Sequence, residues 1–470
     1  MSEIHNDNEK YRFDSEFFQK KYMKSYALIK NKSFVQLSNI INILTDFHAN
    51  GSYENIARYF ELLDKPDYAY MIRSTDLEKS DFENDVKYVS EKCYNFLYKS
   101  KVYGGELLIN KIGSPGKTYL MPTLNRPVSL GMNLFMVQIK KYSKIKNSFV
   151  WLFFNTILGK KIIERKINGT VPLTIDKEAI RSLPIPIMSE QWQKTLEIMI
   201  EKSEEFIKEA KLRYTAAQNL LLSGLGLVDY TPPKESVSVK SFADSFGASG
   251  RLDAEYYQPK YEEIINKISK FKYDTLGKLV SIKKSIEPGS EYYGDTGVSF
   301  VRVNNLSKFE ISEPDIKIPL NTVSNISDLF PKKETILLSK DGSVGIAHKL
   351  TEDMNCVTSG AILHLNINNQ AEILPDYLTL VLNSLIVQLQ AERDAGGSII
   401  QHWKPSEIKQ VIIPIVDMDI QQQIADKVQQ SFSLRKKSAE LLDRAKQAVE
   451  MAIEQGEDVA LKWLEGKESE

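Results

Sequence analysis

The sequence predicts an α+β protein in which two tandem β-rich domains are separated by a pair of long antiparallel coiled-coil helices, with a pseudo-two-fold relation between the halves. Three observations predict this fold. The chain repeats itself, two segments carry heptad spacing, and the remainder holds short apolar runs between Gly, Pro and Asn turns. A chain of 470 residues has room for two to four domains of roughly 150 residues each.

The internal repeat links the two halves of the chain through a nearly constant shift in residue number. Residues 12–19 return as 251–258, a shift of 239 (251 − 12), and Arg73 matches Arg302, a shift of 229 (302 − 73). Matches at shifts of 229 or 228 continue to the end of each copy: 111–116 with 340–345, Val128 with Val357, Gly131 with Gly360, 169–171 with 397–399, and 186–187 with 414–415. So many anchors indicate two copies of one unit.

Each copy is expected to begin with a β-rich domain and to end with a long helix. Runs such as 299–303 and 334–338 are apolar and bounded by turn residues, which is typical of short strands. Pro232 and Pro233, followed by several Ser and Gly residues, indicate a linker. The predicted order is a first β-rich domain at 1–188, a central helix at 189–228, a linker at 229–250, a second β-rich domain at 251–416 and a C-terminal helix at 417–470.

Heptad spacing predicts that the two long helices pack on each other. Residues recur every seven positions from Leu196 and Ile200 in the first helix, and from Ile424 and Val428 in the second. Spacings of four and three alternate, as in the seam of a coiled coil. Residues 190–222 would span about 50 Å at about 1.5 Å per residue, the length of about 15 base pairs of DNA. Antiparallel pairing would therefore make a caliper that touches one duplex at two separated places.

Composition excludes several classes of protein without selecting one. The formal net charge of −1 argues neither for nor against a nucleic acid partner. The longest apolar stretch, 149–158, is too short to span a bilayer, and residues 1–10 lack the apolar core of a secretory signal. Cys93 and Cys356 are far apart in the sequence, which is typical of a reducing compartment. We therefore expect a cytoplasmic protein.

The search for catalytic motifs is negative. The sequence contains no HExxH, GxSxG or CxxC, and it lacks the Asn-Pro-Pro-aromatic and Asp-Pro-Pro-aromatic tetrapeptides of amino-methyltransferases. Residues 113–118 resemble the end of a phosphate loop, but Lys111 stands where the first glycine of that loop would be. The five histidines show no ligand spacing. We expect no catalytic residue, no cofactor and no metal on this chain.

The order of segments in each copy resembles that of the specificity subunit of type I restriction-modification systems, and the resemblance covers nearly the whole chain. A variable β-rich domain, a Gly-Ser turn, an Ile-Pro exit and a Gln-x-x-Ile helix start occur in succession, and then occur again. The first copy departs from the pattern, with Leu196 and Glu197 where the second has Ile424 and Ala425. The matching segments are 251–258, 340–345, 396–399, Ile413 with Pro414, and 421–425.

The resemblance implies a function and a set of partners. Each β-rich domain would be a target-recognition domain that reads one half of a bipartite, asymmetric site in double-stranded DNA. The helix pair would be the spacer and the docking surface for methyltransferase subunits, two in number. Those subunits would carry S-adenosylmethionine and methylate adenine, and a restriction and translocase subunit would join the complex. This chain itself would be non-catalytic.

Several polar residues at repeated positions are candidates for DNA contact. Arg73 and Arg302 follow predicted strands, where an arginine would form a fork to guanine O6 and N7 or bind a phosphate, with a buried ion pair as the alternative. Asn304 and Asn305 follow in the second copy and would read adenine. Arg12, Asp14, Glu16 and their repeats are expected to tie the start of each copy to the helices, a structural role.

The repeated Gly-Ser turns supply the remaining candidates. Lys111 with Ser114, and Lys340 with Ser343, would bind phosphate beside exposed backbone N–H groups. A plain strand turn with a solvated lysine is the alternative.

Three other functions stay open at the level of sequence. The chain would be the recognition subunit of a related system whose methylation and cleavage lie on one partner chain, or a coiled-coil scaffold that bridges two proteins. The third is an enzyme acting alone, but pairs such as Glu334 with Lys340 are too common to indicate a nuclease site.

Overall fold

The computed structural model describes residues 12–79, 82, 86–169, 171–235, 237–322, 325–396 and 401–468, and structural statements below refer to these. The chain divides into two compact units. Unit 1 comprises Met1–Glu205 with Lys437–Glu470, and unit 2 comprises Phe206–Lys436. The repeated residues Thr170 and 397–399 lie outside the described residues.

Unit 1 is built on mostly antiparallel sheets with apolar central strands. Its strands are β1 (Phe34–Gln36), β2 (Ile41–Asp46), β3 (Ala69–Ile72), β4 (Lys87–Val89), β5 (Lys101–Val102), β6 (Leu107–Asn110), β7 (Thr118–Leu120), β8 (Val128–Leu130), β9 (Leu134–Ile139) and β10 (Pro184–Pro186). One sheet has the order β2-β9-β6-β7, a second has the order β4-β3-β8-β5, and β1 pairs with β10. All four residues of β6 are buried, as expected of a strand covered on both faces.

The helices of unit 1 cover the first sheet and close its core. They are α1 (Lys20–Lys30), α2 (Leu37–Ile40), α3 (Tyr53–Tyr59), α4 (Ser74–Lys79), α5 (Glu91–Phe96), α6 (Asn147–Phe154), α7 (Ile157–Glu164), α8 (Lys177–Arg181) and the first part of α9 (Glu190–Gly224). Short 3-10 helices occupy Phe47–Asn50 and Tyr98–Ser100. Phe149 and Phe153 of α6 and Trp192 of α9 belong to the same buried cluster as Leu107.

Unit 2 repeats this plan with a smaller second sheet. Its strands are β11 (Tyr273–Thr275), β12 (Val280–Lys284), β13 (Val298–Val301), β14 (Lys317–Ile318), β15 (Ile336–Ser339), β16 (Ala347–Lys349), β17 (Cys356–Thr358), β18 (Ile362–Ile367) and β19 (Ile412–Pro414). The sheet orders are β12-β18-β15-β16, β14-β13-β17 and β11-β19. As in unit 1, the second sheet contains one parallel pair, β13 with β17, matching β3 with β8.

The helices of unit 2 follow the same order as those of unit 1. They are α10 (Phe246–Ser249), α11 (Pro259–Ile268), α12 (Leu276–Leu279), α13 (Pro375–Leu382), α14 (Leu385–Ala395), α15 (Pro405–Ile408) and the first part of α16 (Met418–Gln455). Short 3-10 helices occupy Ala254–Tyr257, Ser290–Tyr292, Val303–Asn305 and Ile326–Leu329. The last helix, α17 (Glu457–Glu468), belongs to unit 1.

The element bounds confirm the duplication and correct one pairing made from sequence. β15 begins 229 positions after β6 (336 − 107), and α16 begins 228 positions after α9 (418 − 190). The N–H of Gly131 donates to the Ile72 carbonyl at 2.8 Å, and the N–H of Ser359 donates to the Val301 carbonyl at 2.8 Å. Ser359, and not Gly360, is therefore the structural counterpart of Gly131, because the shift falls to 228 before β8 and β17. By the same shift Val128 matches Cys356, and not Val357.

A buried glutamine fixes the start of each long helix. The Gln193 amide donates to the carbonyls of Lys144 and Met188 at 2.8 and 3.2 Å. The Gln421 amide donates to the carbonyls of Glu372 and Val416 at 3.2 and 2.9 Å. These bonds satisfy backbone groups of the preceding loops. They explain why the two helices start at equivalent positions although the residues after each glutamine differ.

The long helices run antiparallel, as predicted. In unit 1, the hydroxyls of Ser203 and Ser438 lie 2.7 Å apart. In unit 2, the Ser431 hydroxyl donates to the Ala210 carbonyl at 2.8 Å. Residue numbers rise along α9 as they fall along α16, which defines the antiparallel direction. One line of the seam is filled by small buried residues, among them Ser203, Ala210, Ser431 and Ser438, so the backbones approach closely.

The start of each copy is clamped by arginine, in a structural role like the one expected from the sequence. The Arg12 guanidinium lies 5.0 Å from the Phe17 ring centre, and the Arg165 guanidinium lies 4.2 Å from it. Arg12 also binds Asp14, whose pKa it lowers to about 2. In unit 2, Arg251 and Arg393 lie at 4.4 and 5.2 Å from the centre of the Tyr256 ring. Arg12 donates to the carbonyls of Arg165 and Ile167, so the tie is to the segment after α7 and not to the long helices.

Every helix in the described part of the chain is too short or too polar to cross a lipid bilayer.

Candidate nucleic-acid interface

Arg73 is held by a buried carboxylate at the end of β3. Its Nη2 lies 2.7 Å from Asp76 Oδ1, and its backbone N–H donates to Asp76 Oδ2 at 2.8 Å. The Asp76 side chain is 4% exposed and that of Arg73 is 29% exposed. Asp76 thus joins the strand end to α4, which is the ion pair considered from the sequence. DNA contact by Arg73 stays a prediction.

The corresponding loop of unit 2 uses an asparagine where unit 1 uses an aspartate. Asn305 is buried, and its side-chain oxygen accepts the backbone N–H of Arg302 at 3.0 Å. Its amide donates to the Ser312 hydroxyl at 3.3 Å. The Arg302 guanidinium turns instead to the exposed Asp315, at 3.1 Å. Asn304 is exposed and is the better placed of the two asparagines to meet a base.

Lys111 belongs to a cluster of charges that three elements bring together. Asp46, the last residue of β2, accepts hydrogen bonds from Lys111 Nζ at 2.9 Å and from Lys177 Nζ at 2.7 Å. His48 Nδ1 lies 3.5 Å from Lys111 Nζ. Burial alone would raise the pKa of Asp46, but the bonds from Lys177 and Lys111 lower it below its ordinary value. Two ammonium groups share one carboxylate, so the group carries excess positive charge.

Lys340 has a different partner in unit 2. Its ammonium binds the carboxylate of the next residue, Asp341, whose other oxygen lies 2.9 Å from His402 Nδ1. Asp341 and His402 form an isolated β-bridge, and Ile112 and Thr174 form the equivalent bridge in unit 1. The backbone is therefore the same, while the charged groups have moved.

The two Gly-Ser turns present exposed serines next to a glycine of positive φ. Gly113 and Gly342 have φ of 89° and 74°, a region that favours glycine. Ser114 and Ser343 are exposed. The Ser339 hydroxyl donates to the Ser343 carbonyl at 2.6 Å and so steadies the second turn. Phosphate binding by these serines and lysines stays a prediction.

The sequence analysis missed one surface of unit 1. The tyrosine–lysine surface consists of Tyr59, Lys92, Tyr98, Lys99, Lys101 and Tyr103. The Tyr59 ring stacks on the Phe96 ring, with the ring centres 4.6 Å apart. Lys92 Nζ lies 5.4 Å from the centre of the Tyr59 ring. Tyr98 and Tyr103 are 62% and 66% exposed.

Exposed rings and ammonium groups of this kind bind nucleic acids by stacking and by phosphate contact. The sequence did carry a signal, because residues 92–103 contain three lysines and four aromatic residues, reading KCYNFLYKSKVY. The equivalent residues of the second copy, 321–332, contain one aromatic residue, Phe330, and one basic residue, Lys332. The two copies therefore differ in the chemistry of this segment.

Comparison with known proteins gives a family for the second copy. Residues 267–443 match the family described as Type I restriction modification DNA specificity domain. The match runs from α11 into α16, so it covers the second β-rich domain and the beginning of its long helix. No curated protein matches the chain.

Solved structures of specificity subunits are similar over most of the chain. The S subunit of a type I restriction-modification system from M. genitalium is 12% identical, with 90% of this chain and 95% of that chain covered and a TM-score of 0.39. The HsdS subunit from Thermoanaerobacter tengcongensis is also 12% identical, with 90% and 97% covered and a TM-score of 0.27. Residues 267–443, which make up most of the second copy, belong to the type I restriction modification DNA specificity domain family.

Proposed function

We propose that this chain reads a bipartite, asymmetric site in double-stranded DNA, one half with each β-rich domain, and directs partner subunits to that site. The observation that carries the proposal is the structural duplication. Two domains whose first sheets have the same strand order each lead into one of two antiparallel helices. The family match at 267–443 supports DNA as the ligand of the second domain, and the repeat extends this to the first.

The asymmetry of the site follows from the divergence of the two copies. The first domain carries the tyrosine–lysine surface beside the sheet β4-β3-β8-β5. Among the described residues, the matching sheet of the second domain, β14-β13-β17, has no strand in the place of β5, and residues 321–332 lack the run of lysines and aromatic residues. Different side chains on one framework read different bases, because direct readout depends on the donors and acceptors presented to the groove. The two half-sites are therefore different sequences.

The helix pair sets the spacer and binds the partners. Helices of 35 and 38 residues extend over about 50 Å at about 1.5 Å per residue, enough to separate two contacts on one duplex. Methyltransferase subunits bind to this pair and bring S-adenosylmethionine and the adenine-methylating chemistry, and a restriction subunit joins through the complex. The chain itself supplies recognition and no catalysis.

Duplex binding by the purified chain tests the proposal. The chain alone should bind a duplex with its site weakly, and should bind it at least tenfold more tightly when the methyltransferase subunit is added, because the partner contributes phosphate contacts. A scrambled duplex is the matched control. Equal affinity for both duplexes in the full complex would contradict the proposal and would favour a protein scaffold.

Helix length gives a second test. Inserting seven residues at equivalent seam positions of α9 and α16 keeps the heptad and lengthens the pair by about 10 Å. The spacer of the methylated site should grow by about three base pairs while both half-sites stay the same. Sequencing of methylated adenines measures this, and recovery of the original spacer would contradict the spacer role.

A further inference from the structure

One side chain in the helix seam does not fit a coiled coil. Arg435 occupies the same heptad line as Val428 and Val449, which are buried and apolar. Burial lowers the pKa of Arg435, and its Nε is buried with no hydrogen-bond partner among the described residues. The side chain as a whole is only half-buried, but a buried N–H without an acceptor is costly unless another contact compensates. That contact is an aromatic ring.

The ring belongs to the second β-rich domain. The Arg435 guanidinium lies 3.6 Å from the centre of the Phe309 ring, within cation–π range. Phe309 also meets Tyr214 of α9 edge-on at 4.9 Å and Phe432 of α16 at 6.1 Å. Phe309 therefore rests on both long helices at one level. All four residues belong to unit 2.

Phe309 lies at the tip of a loop that is braced at both ends. At the tip, Ser307 Oγ accepts the N–H groups of Phe309 and Glu310 at 3.3 and 3.0 Å. At the base, Asn305 binds Arg302 and Ser312. The loop is thus a rigid hairpin, and its base presents Arg302 and the exposed Asn304.

We propose that Phe309 and Arg435 form the seat that fixes the second β-rich domain at one height on the helix pair, and so select the spacer length of the DNA site. The proposal rests on the proposed function, in which that domain reads one half-site. Base pairs are about 3.4 Å apart, close to the dimensions of the stack itself. Loss of the stack would therefore free the loop, with Arg302 and Asn304 at its base, to meet a site whose spacer differs by one base pair. Phe309 and Arg435 are positioning residues, because neither needs to touch DNA.

The first copy lacks this chemistry at the equivalent helix positions. A shift of 228 places Glu204, Ile207 and Leu442 where the second copy has Phe432, Arg435 and, on the other helix, Tyr214. None of the three is aromatic or cationic. The seat is therefore a property of the second domain, and its loss should leave the first half-site in place.

The test is the distribution of spacers in methylated DNA from cells that carry the full complex with Phe309→Leu or Arg435→Met. Both variants keep apolar bulk but remove the stack, so the fold is preserved. Preference for the native spacer over spacers one base pair longer or shorter should fall about tenfold, with both half-sites unchanged. Phe309→Tyr retains the ring and should retain the native preference.

Phe330→Ala is the matched control. Phe330 packs against the buried cluster of the second sheet, which contains Val298 and Phe300. Its replacement by alanine therefore removes an aromatic ring from the same domain. It should reduce total methylation without widening the spacer. If Phe309→Leu and Arg435→Met also lower total methylation while every methylated site keeps the native spacer, the seat is merely structural and the proposal is overturned. A wild-type complex that methylates no bipartite site would instead overturn the proposed function, and the seat with it.

Discussion

The lysine clusters of the two β-rich domains share a backbone and differ in where their charges come from. In unit 1 the carboxylate partner of Lys111 is Asp46, at the end of β2. The position equivalent to Asp46 in unit 2 is Lys284, because Asp46 pairs with Phe135 as Lys284 pairs with Leu363. There the carboxylate comes from Asp341. Divergence has thus kept the strands and moved the charges, as expected when the framework is shared and the ligand sequence differs.

The buried cores of the two domains also keep the strands while their side chains differ. Thr358 and His364 of unit 2 are hydrogen-bonded to each other at 2.8 Å and buried. Their counterparts in unit 1, at a shift of 228, are Leu130 and Met136, which lie in an apolar cluster. One copy therefore buries a titratable histidine where the other has an apolar residue. Replacing Thr358 and His364 by the leucine and methionine of unit 1 removes this difference.

The largest expected effect on stability is that of exchanging the buried pair. Burial lowers the pKa of His364 to about 4 from an ordinary 6.5. Between those values the unfolded chain binds a proton that the folded chain does not, so the unfolding free energy falls as pH falls from 6.5 to 4, by about 3 kcal/mol in all. The double variant Thr358→Leu with His364→Met should lose this dependence.

Urea unfolding at pH 7 and pH 4.5 measures the effect of the exchange. The single variant His364→Met is the control, because it leaves the Thr358 hydroxyl buried without its partner and should be less stable at both values. Equal pH dependence in the wild type and the double variant would show that His364 is not the titrating group.

A smaller effect is expected from the Asp46 cluster. The pKa of Asp46 is lowered, so the ionised carboxylate stabilises the fold above its ordinary pKa of about 3.9, and this stabilisation is lost as pH falls through the folded value. Asp46→Asn should lower the unfolding free energy by about 1 to 2 kcal/mol at pH 7. Asp341→Asn, in the more exposed cluster, should lower it by less than about 1 kcal/mol. A larger loss of unfolding free energy for Asp341→Asn than for Asp46→Asn would contradict this order of the two clusters.

The smallest effect concerns DNA. Lys111→Ala and Lys340→Ala should each weaken binding to specific and non-specific duplexes alike, and should reduce the slope of log affinity against log salt by about 1, as expected for loss of one phosphate contact. Lys332→Ala, at an exposed lysine paired with Asp353, is the control. Salt titration of the assembled complex measures the slope. Unchanged slopes for both variants would support the plain-turn alternative.

The fold could be predicted from sequence because duplication and heptads survive divergence. Leu196, Ser203 and Ala210 carry the seam, and their burial bears this out. The one-residue error at Gly131 arose because the shift changes within a loop, where residue identity is a weaker guide than hydrogen bonding. The predicted seam could not reveal that Arg435 stacks on Phe309, since that contact joins residues more than 120 positions apart.

The site was less predictable than the fold. The repeated arginines were found, but their partners Asp76 and Asp315 depend on local loop geometry. Asn305 was expected to read adenine, whereas its side chain is buried and holds the loop through Arg302 and Ser312. The tyrosine–lysine surface was missed although its signal lies in residues 92–103. Solvent exposure decides which polar side chains can contact a ligand, and the spacing of residues in the sequence does not predict that exposure.

Exchange of one β-rich domain tests most directly the claim that each reads its own half-site. Residues 13–186 are replaced by the equivalent segment of a foreign specificity subunit, and methylated adenines are mapped across the genome in cells that carry the assembled complex. The account predicts that one half-site changes to that of the donor, while the other half-site and the spacer stay the same. A change in both half-sites, or in neither, would contradict it.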